Sequence, residues 1–326
     1  MENINTELSI IVPMYNEEAN VRNTVDQIRS AMKAFDSKWE LIIVNDGSTD
    51  NSLQMAQEIE REENNIRVIS YYPNSGRGKA LRTGFENGRG NFIITIDFDL
   101  SYDASHILKL YKEIKNDNSV DIVLGSAYMA GGQTDSVPWF RLFTSKIGNK
   151  ILSYAFPFRI TTSTCILRGY KRKVLDSLPL ESNGKEIHLE ILSKAISLGY
   201  AIKEIPATLK ARKKGKSKFK FRSTTISHLL FSFFEKPILV FGFIGLLLLI
   251  SGFVGGIYIT VLELQDRLNP VRPLVTLVVI LVLSGLQILS FGFIAIQIGI
   301  IRKEIYKVQK ENRLLFKNSD SLGKDL

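Results

Sequence analysis

The chain has 326 residues, with 42 Lys and Arg against 33 Asp and Glu, giving a formal charge of +9. Hydrophobic residues make up 45% and charged residues 23%, a balance that excludes a disordered chain. A single cysteine, Cys165, excludes an internal disulfide framework, and the scattered His106, His188 and His228 argue against zinc, Ser-His-Asp and Cys-His chemistries.

In chain order, residues 8–13, 41–45, 66–71, 92–97 and 121–125 are short apolar runs of strand length. Helical patterns at 17–35, 52–63, 78–88 and 104–116 alternate with them. This alternation predicts βαβ units and a mainly parallel sheet covered by helices. The N-terminus has no basic segment followed by an apolar run, so no cleaved signal peptide is expected. Towards the other end, 237–262 and 273–301 carry no charged residue. Each exceeds the roughly 20 apolar residues that a helix needs to cross a bilayer. Between them, 263–272 holds two acidic and two basic residues. The preceding flank, 210–222, holds eight Lys/Arg and the tail 302–326 holds seven. The positive-inside rule then puts both termini in the cytoplasm and the short loop outside. Residues 223–236 suit an amphipathic helix at the membrane surface. Gly252 and Gly256 form a small-xxx-small pair suited to close helix contact. Ile305, Val308 and Leu315 recur in the tail at a spacing that would let it pair with a second copy.

In open α/β sheets, ligands bind beyond the carboxyl ends of the strands. Here those ends are polar. The first run ends in Pro13-Met14-Tyr15-Asn16-Glu17, the second in Asn45-Asp46-Gly47-Ser48-Thr49-Asp50, the fourth in Asp97-Phe98-Asp99. A single acidic strand end is usually a helix cap, and Asp50 and Asp103 suit that role. Three such ends at one sheet edge are harder to explain so. Asp97 and Asp99, two apart where a strand leaves the sheet, can aim both carboxylates at one spot, an all-oxygen pair suited to Mg²⁺ or Mn²⁺. The stretch around Gly76-Arg77-Gly78-Lys79 is not a P-loop, since Pro73 replaces the first glycine and Ala80 the Ser/Thr. Its small residues still allow close approach to a diphosphate. Arg77 reads equally well as a basic turn residue facing water. Arg141 and Ser145, four apart on a helical pattern, would share a face. Glu186 and Glu190 share another.

Taken in order, these segments resemble the family 2 glycosyltransferases of the GT-A fold, in the subgroup that moves a sugar to a polyprenyl or dolichyl phosphate. Val12–Glu17 is similar to the family's VPxYNE, Asp46–Asp50 to DGSxD, and Asn74–Gly84 to NxGKGxAxRxG. Asp97-Phe98-Asp99-Leu100 stands where the family has DADL, and Lys203–Pro206 with Arg212, Gly215, Ser217 and Lys218 resembles EVP…RxxGxSK. The resemblance implies a Rossmann-like GT-A domain over 1–222, the interfacial helix 223–236, transmembrane helices 237–262 and 273–301 around the external loop 263–272, and a cytoplasmic basic tail 302–326. It implies a UDP- or GDP-sugar donor, of glucose or mannose type, held by Pro13, Tyr15, Asn16, Glu17, Asp46, Gly76, Lys79, Asp97 and Phe98. Asp97 and Asp99 would hold Mg²⁺ or Mn²⁺ and, with Glu190, carry the chemistry. The partners would be a membrane and its polyprenyl phosphate acceptor, gripped by Arg141, Ser145, Arg212, Ser217 and Lys218, with no nucleic acid. The setting expected is a prokaryotic plasma membrane.

The chain also departs from the family pattern. The GSR arginine is Ala127, so that charge is either absent or replaced, with Arg168 and Arg172 as the candidates expected to compensate, and Phe98 replaces a small residue. Two other readings stay open at this point: transfer to another membrane lipid or glycan, and a non-catalytic scaffold that binds nucleotide sugars. No QxxRW motif of the processive synthases occurs.

Overall fold

The structure is a computed structural model that describes residues 6–137, 142, 143, 145, 146, 148, 149, 160–210, 237–265 and 273–322. Arg141, Arg212, Ser217, Lys218, the helix expected over 223–236 and most of the expected loop (266–272) lie outside the described residues. The chain divides into two compact units, one joining the N-terminal domain to the segment from Tyr306 onward, the other spanning 229–305.

Among the described residues of the first unit, nine strands follow in order: β1 (Leu8–Met14), β2 (Trp39–Asp46), β3 (Ile66–Tyr71), β4 (Phe92–Thr95), β5 (Ile122–Ser126), β6 (Gln133–Asp135), β7 (Arg168–Lys171), β8 (Ile202–Pro206) and β9 (Thr208–Lys210). Seven form one sheet in the order β3-β2-β1-β4-β7-β5-β8, and β6 pairs with β9. All neighbours in the large sheet run parallel except β7, which is antiparallel to β4 and β5. β1 is central: Leu8 lies opposite Trp39 on one side and Phe92 on the other. Ile10, Ile11, Ile42, Val44, Ile93 and Ile94 are fully buried. Near-continuous β-branched runs of this kind are what a sheet covered on both faces demands.

The covering helices are amphipathic. α1 (Val21–Met32) buries Val21, Val25, Ile28 and Met32, a single stripe at helical spacing. α2 (Ser52–Glu62), α3 (Arg77–Asn87) and α4 (His106–Asn116) follow the expected alternation, and α5 (Arg172–Ser177) and α6 (Ile187–Ser197) come later. Most boundaries shift by one or a few residues from the sequence pattern, and two of the larger shifts have a local cause. The first helix begins at Val21 after a 3-10 turn, Glu18–Asn20, where the Asn20 side chain donates to Glu17 Oε2 at 2.7 Å. β4 stops at Thr95 because Leu100 N donates to Asp97 O at 3.1 Å, turning the chain out of the sheet.

The second unit contains α7 (Pro237–Leu264) and most of α8 (Pro273–Leu322). Each is long and apolar enough to cross a membrane, with windows of mean hydropathy 2.4 and 2.5 that are only 11% and 6% buried. Glycine lets the two backbones approach. A Cβ at Gly245 would lie 2.7 Å from Leu289 Cγ, one at Gly285 3.0 Å from Gly245 O, and one at Gly252 2.6 Å from Val282 Cγ2. Gly252 is therefore at the contact, as its spacing suggests, whereas Gly256 faces open space and its place is taken by Gly255, against Val278. α8 is 50 residues long, about 75 Å at the α-helical rise, and continues 21 residues past the end of its apolar stretch.

Candidate functional site

From β1 the chain winds outward to β2 and β3, then returns to the other side of β1 at β4. The carboxyl ends of β1 and β4 flank the point where the winding reverses, which is where open α/β sheets leave a crevice for ligands. Pro13 to Glu17 and Asp97 to Asp99 stand at those ends.

Beyond β1, Asn16 takes a left-handed backbone, φ +52°, which Asn tolerates better than most residues. Its N–H donates to Ser48 Oγ at 2.9 Å and its Oδ1 accepts Thr49 N–H at 2.7 Å. Glu17 N–H donates to Ser52 Oγ at 2.8 Å. Asn16 and Glu17 thus fasten the turn after β1 to the turn after β2. Pro13, near the end of β1, and Tyr15, just beyond it, are half-buried.

Asp46 ends β2 and is 4% exposed. Its Oδ1 accepts Ser75 N–H at 2.8 Å, its Oδ2 accepts Asn74 Nδ2 at 3.0 Å, and Gly76 N–H lies 3.1 and 3.0 Å from the two oxygens. A carboxylate offers about four acceptor sites, and these three donors, one of them shared between both oxygens, take most of them. The buried carboxylate anchors the glycine-rich turn rather than pointing outward. Gly47, at φ +66°, allows the close approach, since a Cβ there would lie 2.6 Å from Asn74 N.

The glycine-rich turn opens α3. Gly76 is its N-cap at φ +99°. Gly78 N–H donates to Asn183 O at 2.6 Å and Lys79 N–H to the same oxygen at 3.2 Å. A Cβ on Gly78 would collide with Ser182 O, and one on Gly76 would lie 2.5 Å from Asn183 O. The 180–184 segment is thus a backbone lid on the amino end of α3, and only glycine fits beneath it. Arg82 of α3 ties the lid from the side by donating to Leu180 O at 3.2 Å and to Asn183 Oδ1. Glu190 holds the lid from below: its oxygens accept Glu181 N–H and Ser182 N–H, both at 2.9 Å, and the Lys194 ammonium at 2.6 Å. Burial alone would raise the Glu190 carboxyl, but the Lys194 ammonium and the Ser182 donors outweigh it and hold it below the usual carboxylate range. Glu186 accepts Gly184 N–H at 3.0 Å.

Across the crevice, Asp97 meets Arg77, with Nη2 3.0 Å from Oδ1. The sequence leaves Arg77 open between a residue near a diphosphate and a basic turn residue facing water; in the fold it spans from the glycine-rich turn to the carboxyl end of β4. Asp99 Oδ1 accepts Ser101 N–H at 3.0 Å. Between the two aspartates, Phe98 is buried and its carbonyl accepts the Thr24 hydroxyl of α1 at 2.6 Å, which fixes the turn. The donors this turn offers a cation are carboxylate oxygens, suited to a hard divalent ion. Mg²⁺ commonly takes one or two protein carboxylates and completes its shell with water and phosphate. Asp97 and Asp99 fit that pattern. Among the described residues no group of three or more His, Cys, Asp and Glu that could hold a metal gathers, at this turn or at any other place.

Ala127 is buried at the end of β5. Neither arginine expected to compensate for it reaches an open site. Arg168 is fully buried and donates to the carbonyls of Cys165, His188 and Ser163; Arg172 donates to Gly90 O and Phe85 O. Both charges are spent on main-chain carbonyls. Beyond Ala127 lies a hydroxyl network instead. Ser126 Oγ is 2.7 Å from Thr161 Oγ1, Glu204 accepts Thr161 and Thr162 N–H at 2.9 Å each, and Tyr128 OH donates to Ser145 Oγ at 2.9 Å.

The seven-stranded sheet with its single antiparallel member is a GT-A-like arrangement. It overlays glucosyl-3-phosphoglycerate synthase from Mycobacterium tuberculosis, solved with Mn²⁺, uridine diphosphate and glucosyl-3-phosphoglycerate, with a TM-score of 0.54 over 70% of this chain and 80% of that one. Sequence identity is 20%, so this likeness concerns the fold alone. Residues 9–178 match the family described as Glycosyl transferase family 2, and the chain belongs to that family. Among curated relatives, a dolichol-phosphate mannosyltransferase from Pyrococcus furiosus is 30% identical over 217 residues, 65% of this chain and 59% of that protein. An undecaprenyl-phosphate 4-deoxy-4-formamido-L-arabinose transferase from Proteus mirabilis is 29% identical over 221 residues, 68% and 64% of the two chains. The match spans less than two thirds of either relative's length.

Proposed function

We propose that this glycosyltransferase moves a hexose, of glucose or mannose type, from a UDP- or GDP-sugar to a polyprenyl phosphate. The observation that carries the reading is the juxtaposition of the Asp97–Asp99 turn with the glycine-rich turn of Arg77 at the switch point of the sheet, supported by two curated relatives that both act on polyprenyl-type phosphates. The donor's diphosphate lies along the Gly76–Lys79 turn, with Arg77 and Lys79 supplying positive charge, and Pro13, Tyr15 and Glu17 flanking the nucleoside. Asp46 acts here as the anchor of that turn, and Phe98 shapes the floor. Asp97 and Asp99 hold Mg²⁺ or Mn²⁺; when bound, the ion offsets charge on the leaving diphosphate.

In the transfer, the bond from the anomeric carbon to the donor's phosphate oxygen breaks and its electron pair leaves with the nucleoside diphosphate. A bond forms from an oxygen of the acceptor phosphate to the same carbon. The acceptor's second pKa is about 6, so it is already mostly dianionic at neutral pH and needs no strong base. This agrees with Glu190, whose oxygens are committed to the lid. What the acceptor needs is cations, and Arg141, Arg212 and Lys218 with Ser145 and Ser217 take that role. α7 and the apolar part of α8 cross the membrane, with both termini on the cytoplasmic side by the distribution of Lys and Arg.

The test is a screen of purified full-length chain with UDP- and GDP-hexoses, Mg²⁺ or Mn²⁺, and undecaprenyl or dolichyl phosphate in detergent. A glycolipid that forms only when the phosphorylated lipid is present supports the reading. Tight nucleotide binding with no product from any donor rejects it.

A further inference from the structure

The tail beyond the second apolar stretch is more than a basic extension. From Tyr306 it belongs to the same compact unit as the N-terminal domain. Among its described residues, Tyr306, Lys310 and Arg313 touch that domain. The Lys194 ammonium sits 5.2 Å from the centre of the Tyr306 ring, the Lys310 ammonium sits 4.6 Å from the centre of the Tyr200 ring, and Arg313 Nη1 donates to Leu178 O. Positions 306, 310 and 313 stand at i, i+4 and i+7, a single helix face. Both partner rings carry a cation at cation–π distance.

What this face touches is the root of the lid over α3. Leu178 stands two residues before the lid, at the end of α5. Lys194, beneath the Tyr306 ring, also donates to Pro179 O and Glu190 Oε1. Glu190 accepts the N–H groups of Glu181 and Ser182, and Asn183 O accepts those of Gly78 and Lys79. An unbroken series of contacts therefore runs from the tail, through the 178–184 segment, to the glycine-rich turn.

We infer that the end of α8 is a strap that holds this lid down, making Tyr306, Lys310 and Arg313 positioning residues for the diphosphate turn. The inference rests on the reading of Gly76–Lys79 as the donor's diphosphate cradle. None of the three residues needs to touch substrate. They act by limiting the positions of Ser182 and Asn183, whose carbonyls set the amino end of α3.

The experiment uses full-length protein carrying Tyr306→Ala and Arg313→Ala together. Amide hydrogen exchange is followed at Gly78, Glu181 and Ser182, and donor and lipid KM are measured separately. Loss of one cation–π contact and one charged hydrogen bond corresponds to about tenfold faster exchange at those amides and about tenfold higher donor KM, with lipid KM unchanged. Tyr306→Phe with Arg313→Lys, which keeps a ring face and a donor, restores most of both. Unchanged exchange in the Ala variant overturns the strap, as does faster exchange with donor KM unmoved. Should the double variant fail to fold, Arg313→Gln alone gives the same comparison. Binding of UDP and GDP to the unaltered chain, measured by calorimetry, separates the two ideas: no binding there rejects the cradle, whatever the exchange data show.

Discussion

Arg77→Ala separates two quantities that usually move together. In the resting chain the Arg77 guanidinium is paired with Asp97 at 3.0 Å, with side chains 34% and 20% exposed. A divalent cation approaching Asp97 must displace or outcompete that guanidinium. Removing Arg77 therefore takes away a competing cation at Asp97, which keeps its contact with Ser101 Oγ, and tightens binding of Mn²⁺ in the absence of nucleotide. The gross Coulomb attraction of such a pair is about 4 kcal/mol at an effective dielectric constant of 20. Desolvation and side-chain ordering cancel most of it, and partly exposed pairs retain about 1 kcal/mol. That corresponds to roughly fivefold tighter Mn²⁺ binding.

The donor responds in the opposite direction. On the proposed reading Arg77 gains the donor's diphosphate as an anionic partner, and a charge-assisted contact of this type contributes about 1.5–3 kcal/mol. Its loss raises the donor's KM about ten- to a hundredfold. The assay is a Mn²⁺ titration followed by electron paramagnetic resonance, with and without UDP or GDP, alongside initial rates. Opposite signs are the signature. Mn²⁺ affinity that is unchanged or weaker in the nucleotide-free variant refutes the competition between Arg77 and the metal at Asp97.

Three further outcomes follow from particular contacts. Asp46→Asn turns one buried acceptor into a donor facing the Asn74, Ser75 and Gly76 donors, and destabilises the fold by about 2–4 kcal/mol in denaturant unfolding; an unmoved midpoint contradicts the anchoring role. Gly78→Ala drives a Cβ into Ser182 O, a backbone atom with little room to retreat, at a cost of about 1–3 kcal/mol and with donor binding weakened more than lipid binding; equal effects on both substrates would count against the lid. His106, 4% exposed, has Nδ1 2.9 Å from Asp103 O and accepts Thr208 N–H at Nε2 at 3.1 Å, and burial lowers its pKa. As pH falls, the unfolded chain takes up this proton first, so the stability His106 gives is complete above its unfolded value of about 6.5 and is lost as pH drops through the lower folded value. Unfolding free energies between pH 8 and 5 should show that slope in the parent and not in His106→Gln; parallel curves would refute it.

The first half of the sheet is legible because its strands are apolar runs of the right length set between amphipathic helices. β7 is not. Arg168-Gly169-Tyr170-Lys171 looks like a polar turn, and in the sheet its Arg168 guanidinium is satisfied by three carbonyls, those of Ser163 and Cys165 just before it and that of His188 from α6. No local pattern records that. The polar strand ends after β1, β2 and β4 are readable as a candidate site, since the motif spacing places them at one edge. The lid is another matter. Its contacts are made by the carbonyls of Ser182 and Asn183, and every residue has a carbonyl. The available signal is on the receiving side, in the glycines at 76 and 78. Arg77 was ambiguous for a related reason: its partner stands 20 residues away, and the register of β4 decides whether the two meet.

The acidic residues around the site sort by what their oxygens accept. Asp46, Glu190 and Glu204 take main-chain N–H groups, two or more apiece, and those partners are fixed by the fold. Such carboxylates are already neutralised by rigid dipoles, and moving them unpicks a loop. Asp97 differs, because it faces a guanidinium on a long side chain from another turn. A guanidinium can swing away to a phosphate, whereas a backbone amide cannot. Chemistry that needs a carboxylate to change partners during a turnover is therefore better served by Asp97 than by Asp46 or Glu190, although all three are acidic and lie in recognisable motifs. The distinction also orders the expected phenotypes: substitutions at the loop-anchoring carboxylates register first as lost stability, while Asp97→Asn leaves the melting temperature near that of the parent and registers as lost turnover and weakened Mn²⁺ binding.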